Sequence, residues 1–399
     1  MITVEPYPGI PIIDQRLEIV ERKGRGHPDT LCDSMMDAIS VALSRAYLKE
    51  FGTILHHNIV MGLLAAGSVL KRFGGGEIVQ PMELTIGDRA TRESGGRSIP
   101  VADIAVDAAR VWLEKNMRYV DPRRNISFRV MLSTGSEELT NIFSCPGIKA
   151  ANDTSATVGY YPLSPTEKIV IALERHLNAP EFKAAHPETG EDVKVMAVRQ
   201  GKDLDLTVAM PLLCRCIPSE DAYFDCKEVL AKEMNAFVRQ FAGFERVSLF
   251  YNTLDERGKG MNGVYLSLTG TSAEDADSGQ VGRGNRVNGV IAVNRPLGTE
   301  AAAGKNPVSH VGKIYNLLSH RIAEIVYNEV EGLREVYVYL VSRIGAPIDR
   351  PQIAAAQIVT ERGLEAGAAA RKVEEIIGRE LSGIERFCTA LSEGKYPVC

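Results

Sequence analysis

The sequence predicts an α+β fold, on three observations. Segments of helical period and segments of strict period-two alternation recur along the whole chain. None of its glycine patterns has the strand–GxGxxG–helix setting of a dinucleotide fold, and there is no Walker loop; Gly24-Arg-Gly26 and Gly282-Arg-Gly284 come nearest. The chain has 399 residues, 45% hydrophobic and 24% charged, enough for a large core and two or three domains, and no Pro- or Ser-rich linker separates them. Compact modules packed together are expected rather than beads on a string.

The first residues, MITVEPYPGIPIIDQ, carry no basic n-region and no long apolar core, so no signal peptide is expected. Seven scattered cysteines, with Cys214-Arg-Cys216 lacking zinc-site spacing, read as free thiols of a reducing cytoplasm. The net charge of −5 argues against broad nucleic-acid or anionic-membrane binding and leaves room for a local basic pocket.

Pro28 to about Phe51 reads as the first helix. Leu31, Met35, Ile39, Ala42 and Ala46 recur near helical period, with Asp33, Asp37 and Ser40 elsewhere around the wheel. Pro28 suits the first helical position, which sets His27 and Asp29 at an N-terminus whose N–H groups favour anions. The run Ile59 to Leu70 is too short to span a bilayer as a helix and reads as a buried strand or strand pair. Just before it, His56-His57 is expected to place one ring in the core and one outside. Phe73-Gly-Gly-Gly76-Glu77 reads as a hinge or a loop that approaches a ligand, with Gly74 to Gly76 the candidate lid hinge.

Ser164-Pro165-Thr166-Glu167 is a helix start with cap, Pro at N1 and Glu at N3, followed by Ile169, Leu173 and Leu177 on one side. Residues 204–208, 264–268 and 336–340 alternate as half-buried strands. Val308 to about Leu333 and Ala366 to about Leu391 are expected as further helices.

The stretch Thr269 to Tyr315 is the richest in chemistry. Glycines are mixed irregularly with Glu274, Asp275, Asp277, Arg283, Arg286, Lys305 and Lys313. Gly lets backbone come close to a ligand, Arg and Lys bring positive charge to phosphate, and carboxylates can meet a metal. The mixture suggests a site for a polyphosphate and its metal. Glu21 to Asp29 adds a His and an Asp flanking a Pro at a helix start. Asp192 and Lys194 read as strand neighbours on one face, and Asn152 to Ser155 as an Asx turn or a polar site. His310 reads as a packing or capping residue.

In chain order, GHPD, GTILHHN, FGGGE, ANDTS with GYYPLS, EDVKVMAVRQGK, GTSAEDADSGQVGRGNRVNG and EAAAGKNPVSHVGKIYN closely resemble the archaeal-type S-adenosylmethionine synthetases (methionine adenosyltransferases). The resemblance runs from about residue 17 to the C-terminus. It implies three similar α+β units about a pseudo-threefold axis, which on this sequence fall at 1–135, 136–260 and 261–399. It implies a homodimer with active sites between subunits; dimer and a tetramer of paired dimers stay open alternatives. The methionine sulfur would attack C5′ of ATP and displace the triphosphate, which is cleaved to pyrophosphate and phosphate, with Mg²⁺ and possibly K⁺ assisting. By motif position His27, Lys194 and Lys305 would be catalytic and Asp29 the metal ligand. Asp153, Asp192, Asp277, Arg283 and Arg286 would bind nucleotide or substrate.

The departures are concentrated. After His57-Asn58, where the family usually has Thr-Asp and a further acid, this chain reads Ile59-Val60-Met61-Gly62-Leu63. Val60 and Leu63 thus stand where acids are expected near the amino-acid side. Ser133 replaces a glycine, Glu137-Glu138 replaces an acid-containing pair, and Asp277-Ser278-Gly279 replaces Asp-Asp-Gly. An α-ammonium needs a carboxylate, because a buried unpaired charge is costly. Three readings follow: methionine held by other acids such as Glu77, Glu137 or Asp153; adenosyl transfer to a different small nucleophile; or an inactive regulatory subunit, against which the retained His27, Asp29, Lys194 and Lys305 argue.

Overall fold

The computed structural model describes residues 2–144, 147–361 and 366–399. It contains three α+β units, each a sheet with helices against one face. Strands and helices are numbered in chain order. The first sheet has the order β16 (Gly279–Gln280), β3 (His57–Ala65), β6 (Met82–Ala90), β9 (Ile126–Ser133). The second is β14 (Arg246–Tyr251), β12 (Asp203–Ala209), β11 (Lys194–Gln200), β2 (Leu17–Lys23), β17 (Ile291–Ala292). The third is β1 (Ile2–Pro6), β19 (Ile353–Thr360), β18 (Leu333–Val341), β10 (Ala156–Tyr161). Three small ladders complete the set: β4 (Ser68–Arg72) with β5 (Gly75–Gln80), β7 (Glu93–Ser94) with β8 (Arg97–Ser98), and β13 (Leu212–Leu213) with β15 (Leu266–Ser267).

Helices α1 (Pro28–Phe51) and α2 (Val101–Asn116) cover the first sheet, their Leu31, Met35, Ile39 and Leu113 meeting Leu64, Leu84 and Ile86. The short α3 (Glu137–Asn141) follows β9. Helices α4 (Pro165–Leu177), α5 (Pro180–Ala185) and α6 (Glu220–Val238) serve the second sheet. Helices α7 (Val311–Glu329), α8 (Ala366–Ser382) and α9 (Ile384–Ser392) serve the third. No described helix is long and apolar enough to cross a membrane.

The sheets do not follow contiguous segments. β1 pairs with β19, β2 lies between β11 and β17, and β16 joins β3 across more than half the chain. The segments 1–135, 136–260 and 261–399 therefore exchange strands, β2 as an inner strand and β1, β10, β16 and β17 at sheet edges, which ties the units together.

Most expected elements are present, with instructive exceptions. Ser164 caps α4 in a full capping box: its hydroxyl accepts from the Glu167 N–H at 3.0 Å and the Glu167 carboxylate accepts from the Ser164 N–H at 2.6 Å. The apolar run after His57 is split between β3 and β4, which sit in different sheets. The expected strand 264–268 shrinks to Leu266–Ser267, because the Glu274 carboxylate captures the Leu268 and Thr269 N–H groups that a ladder would use. The expected helix from Ala366 to Leu391 breaks at Gly383.

His56 and His57 are both buried, contrary to alternation. The strand begins at His57, so His56 lies outside it, covered by Gly135 and by the Phe143 ring at 5.8 Å. Asp33 and Ser40 also belong to a buried face, since the glycine-rich segment packs over that side of α1.

Candidate active site

The N-terminus of α1 is the centre of the candidate site. His27 is its N-cap, with Nδ1 accepting from the Asp29 N–H at 3.2 Å. The turn before it is pinned to the 191–193 segment: the Gly24 N–H donates to the Val193 carbonyl at 2.6 Å and the Gly26 N–H to the Glu191 carbonyl at 3.0 Å. A Cβ at Gly24 would lie 2.4 Å from the Val193 oxygen, and one at Gly26 2.5 Å from the Asp192 nitrogen. Glycine is therefore required twice in GRGHPD by close backbone approach.

Asp29 is 2% exposed. Its Oδ2 accepts from Lys23 Nζ at 2.9 Å and its Oδ1 from the Gln280 N–H at 2.9 Å. Lys23 Nζ also donates to the Arg283 carbonyl at 2.7 Å. One and two turns along the helix, Asp33 accepts from the Gly282 N–H at 2.9 Å and Asp37 from Lys313 Nζ at 2.5 Å. Residues four apart share a helix face, so Asp29, Asp33 and Asp37 form a row of acceptors that docks the glycine-rich segment. Burial pushes the Asp33 carboxyl up to about 7.

Lys194 begins β11 and meets Glu21 Oε1 at 3.1 Å. Asp192 precedes the strand, so the pair does not share a strand face, contrary to the period-two reading. It is buried and accepts from the Ser272 N–H at 2.8 Å and hydroxyl at 2.5 Å. Burial, opposed by those two bonds, raises its carboxyl to about 7. Arg283 and Asp277 are exposed beside this group. Burial lowers His27 to about 4; Asp29 opposes the shift, while Lys23, Lys194 and Arg283 add to it. The ring is neutral at physiological pH. Because Nδ1 accepts, Nε2 carries the proton.

A second group forms at the N-terminus of α7. Lys305 is 6% exposed and paired with Glu300, which also accepts from the Ser155 hydroxyl at 3.2 Å. His310 caps the helix, its Nδ1 accepting from the Gly312 N–H at 3.2 Å. Asp153 sits nearby, its carbonyl accepting from Ser342 Oγ at 2.9 Å. Its carboxylate accepts from the Thr154 N–H at 2.7 Å. Arg286 lies between the groups, lining a small cavity with Asp33 and Glu300, and its Nε is buried without an acceptor among the described residues.

The structure thus gathers His27, Asp29, Asp192, Lys194, Asp277 and Arg283 at one end of α1, and sets Lys305 and Asp153 apart from them. The Lys305 carbonyl accepts from Ser40, eleven residues along α1 from Asp29, or roughly 16 Å of helix. Val60 is half-buried on β3, whereas Leu63 is 46% exposed and pairs with Gln280. The Gly74 hinge candidate is the tip of the β4–β5 hairpin, its N–H shared between the Cys214 and Ile217 carbonyls.

Lys23, Glu300 and the Asp33–Asp37 row escape a motif reading. The row has a sequence signal, carboxylates at spacing four from Asp29. Lys23 has a weaker one, as the last residue of the alternating run Leu17–Lys23.

The chain matches the sequence model of the S-adenosylmethionine synthetase (AdoMet synthetase) family over residues 1–395. It is 42% identical to the S-adenosylmethionine synthase of Caldivirga maquilingensis over 393 residues, 96% of each chain. It is 43% identical to that of Aeropyrum pernix over 403 residues, 100% of this chain and 99% of the relative. Among solved structures it is similar to an unusual S-adenosylmethionine synthetase from Campylobacter jejuni, with a TM-score of 0.63 over 94% of this chain and 90% of that one. At 14% identity that likeness concerns the fold alone.

Proposed function

The chain belongs to the S-adenosylmethionine synthetase family, and from that premise we propose how its own residues make S-adenosylmethionine from methionine and ATP. The observation that carries the assignment of roles is the cation cluster at the N-terminus of α1. Lys23, Lys194 and Arg283 come from three chain segments and surround a helix start that already favours anions. The triphosphate of ATP is the group that fits there.

A thioether is a neutral, weak nucleophile, so alignment of sulfur with C5′ supplies much of the acceleration. The displaced triphosphate gathers charge as it leaves, and Lys194, Arg283 and Lys305 stabilise it. His27 donates from Nε2–H to the oxygen that departs from C5′, with Nδ1 fixed by the Asp29 N–H. Asp192 and Asp277 hold the adenosine, Arg286 offers its Nε, and Asp153 takes the substrate side.

Magnesium fits Asp29. The carboxylate already holds a cation, the Lys23 ammonium, and Mg²⁺ takes one or two carboxylates and completes its shell with phosphates and water. Bound there, the ion would neutralise phosphate charge in the leaving group. Among the described residues no three His, Cys, Asp or Glu converge, in keeping with a site that the nucleotide completes. A potassium requirement is tested by exchanging K⁺ for Na⁺ in the assay.

Lys305 and Asp153 stand apart from the Lys23–Lys194 group within one chain. We therefore place a second copy against the outer face of the first sheet, where Met61 is 65%, Leu63 46% and Met131 56% exposed. A homodimer joined there brings one copy's cluster towards the other's. The six cysteines among the described residues are all free thiols, which suits a reducing cytoplasm.

One observation favours a second reading. Val60 and Leu63 leave the strand beside Gln280 without carboxylates, so the nucleophile can be one that lacks methionine's ammonium. The deciding assay is mass spectrometry of the purified protein with ATP, Mg²⁺ and K⁺, with methionine in one tube and other thioethers, thiols and amines in the rest. S-adenosylmethionine at ordinary turnover supports the first reading. An adenosyl adduct of another nucleophile, with none from methionine, replaces it by the second.

A further inference from the structure

We propose that Lys23 couples metal binding to triphosphate binding: its ammonium occupies Asp29 until a metal takes that carboxylate, and then passes to the phosphates. The inference rests on the nucleotide reading above and adds a residue and a sequence of events to it.

Lys23 closes β2, and its Nζ bridges Asp29 Oδ2 at 2.9 Å and the Arg283 carbonyl at 2.7 Å. The Lys23 and Asp29 side chains are well covered, 13% and 3% exposed. A divalent cation on Asp29 cannot share Oδ2 with an ammonium, since the two repel at contact distance. Among the described residues Lys23 is then left with a single neutral acceptor, the Arg283 carbonyl. It also lies directly opposite Lys194 in the β2–β11 register, where like charges are destabilising. The displaced ammonium needs an anion, and the phosphates brought by the same metal are that anion. Lysine suits the exchange, because a flexible stem carries a compact charge with three rotatable donors. Each ligand thereby favours the other through Lys23, which is a coupling free energy between two sites.

The test uses the full-length protein as wild type, Lys23→Met, Lys23→Gln and Lys23→Arg, with Mn²⁺ as the paramagnetic stand-in for Mg²⁺. Free Mn²⁺ is followed by electron spin resonance, first without nucleotide and then with a non-hydrolysable ATP analogue. Without nucleotide, Lys23→Met should bind Mn²⁺ about tenfold more tightly than wild type, because a charge-assisted competitor is gone. With Mn²⁺ present it should bind the analogue about tenfold more weakly, and Lys23→Arg should recover most of that loss. Lys23→Gln keeps a donor for the Arg283 carbonyl and gives the same readout if Lys23→Met folds poorly. Unchanged metal affinity in both neutral variants overturns the coupling, as does unchanged analogue affinity. If wild type itself binds no analogue, the nucleotide reading fails instead, and the two failures are told apart.

Discussion

Lys23 and Lys194 stand opposite each other across the antiparallel pair of β2 and β11, so two ammonium groups share one face of the second sheet. Each has its own carboxylate, Asp29 at 2.9 Å for Lys23 and Glu21 at 3.1 Å for Lys194. Such a pair costs stability when the site is empty of anions. It makes sense where a polyphosphate is held, and it ties the second sheet to the start of α1.

Lys194 should matter for binding and hardly at all for folding. Its side chain is 42% exposed, and a pair so open contributes under about 1 kcal/mol. Lys194→Met should therefore shift the denaturant midpoint little while weakening ATP-analogue binding about tenfold, the loss of one charge-assisted contact. Titration calorimetry beside urea unfolding checks both. Unaltered affinity would remove Lys194 from the phosphate site.

His27 should act as a neutral donor. Burial pushes it down to about 4, so the ring should stay neutral from neutrality to about pH 5, and a nuclear magnetic resonance titration of its imidazole should show no midpoint in that range. His27→Asn keeps a side-chain acceptor at the cap and should cost about 0.5 kcal/mol or less of stability. Its rate should fall about a hundredfold, the ordinary value of a positioned proton donor. A ring midpoint near 6.5 in that titration would show instead that the imidazole titrates normally.

Much of this was legible in the sequence. The first helix, the Ser164 capping box, the α+β class and the residues around GHPD were all readable from period, caps and motif order. What was not legible came from long-range contacts. Nothing local says that Leu17–Lys23 pairs with Lys194–Gln200 or that Gly279–Gln280 joins β3. The His56 and Asp192 errors share one cause, since period-two reasoning holds inside a strand and each residue lies just outside one. The separation of Lys305 from Asp29 is a matter of where α1 and α7 cross, which no motif spacing records.

Asp33 should make stability depend on pH in a defined direction. Its folded-state pKa is raised to about 7, chiefly by burial, from an ordinary value of 3.8. Between those values the native chain keeps a proton that the unfolded chain releases, so this contribution to stability is present at low pH and is lost as pH rises towards 7. Asp33→Asn retains an acceptor for the Gly282 N–H and does not ionise. Its melting temperature relative to wild type should climb as pH goes from about 4 to about 7. A difference independent of pH would mean that Asp33 is ionised throughout.

Arg295 should be among the most sensitive positions outside the site. It is 1% exposed in its side chain and meets Glu167 Oε2 at 3.0 Å, the Tyr337 hydroxyl at 2.8 Å and the Pro162 carbonyl at 2.9 Å. Glu335 lies 3.6 Å away, so the group clamps α4 of the second unit to β18 of the third. Arg295→Met leaves two buried carboxylates uncompensated and should cost about 3–5 kcal/mol. Adding Glu167→Gln should return part of it. A loss below about 1 kcal/mol in guanidinium unfolding would show that the network is not the clamp described.

Leu63 separates the docking role of the first sheet's outer face from a role in choosing the nucleophile. The side chain is 46% exposed in the single chain, so Leu63→Asp removes little packing and should fold normally, within about 0.5 kcal/mol of wild type. In a dimer joined through Met61, Leu63 and Met131, it buries a carboxylate against apolar surface. Sedimentation velocity should then show a species near the 43.5 kDa monomer, with transferase activity falling together with the dimer. If the dimer persists and the variant instead gains affinity for methionine, the carboxylate has met the substrate ammonium, and position 63 belongs to specificity. If neither changes, the face is not an interface and both assignments of Leu63 fall.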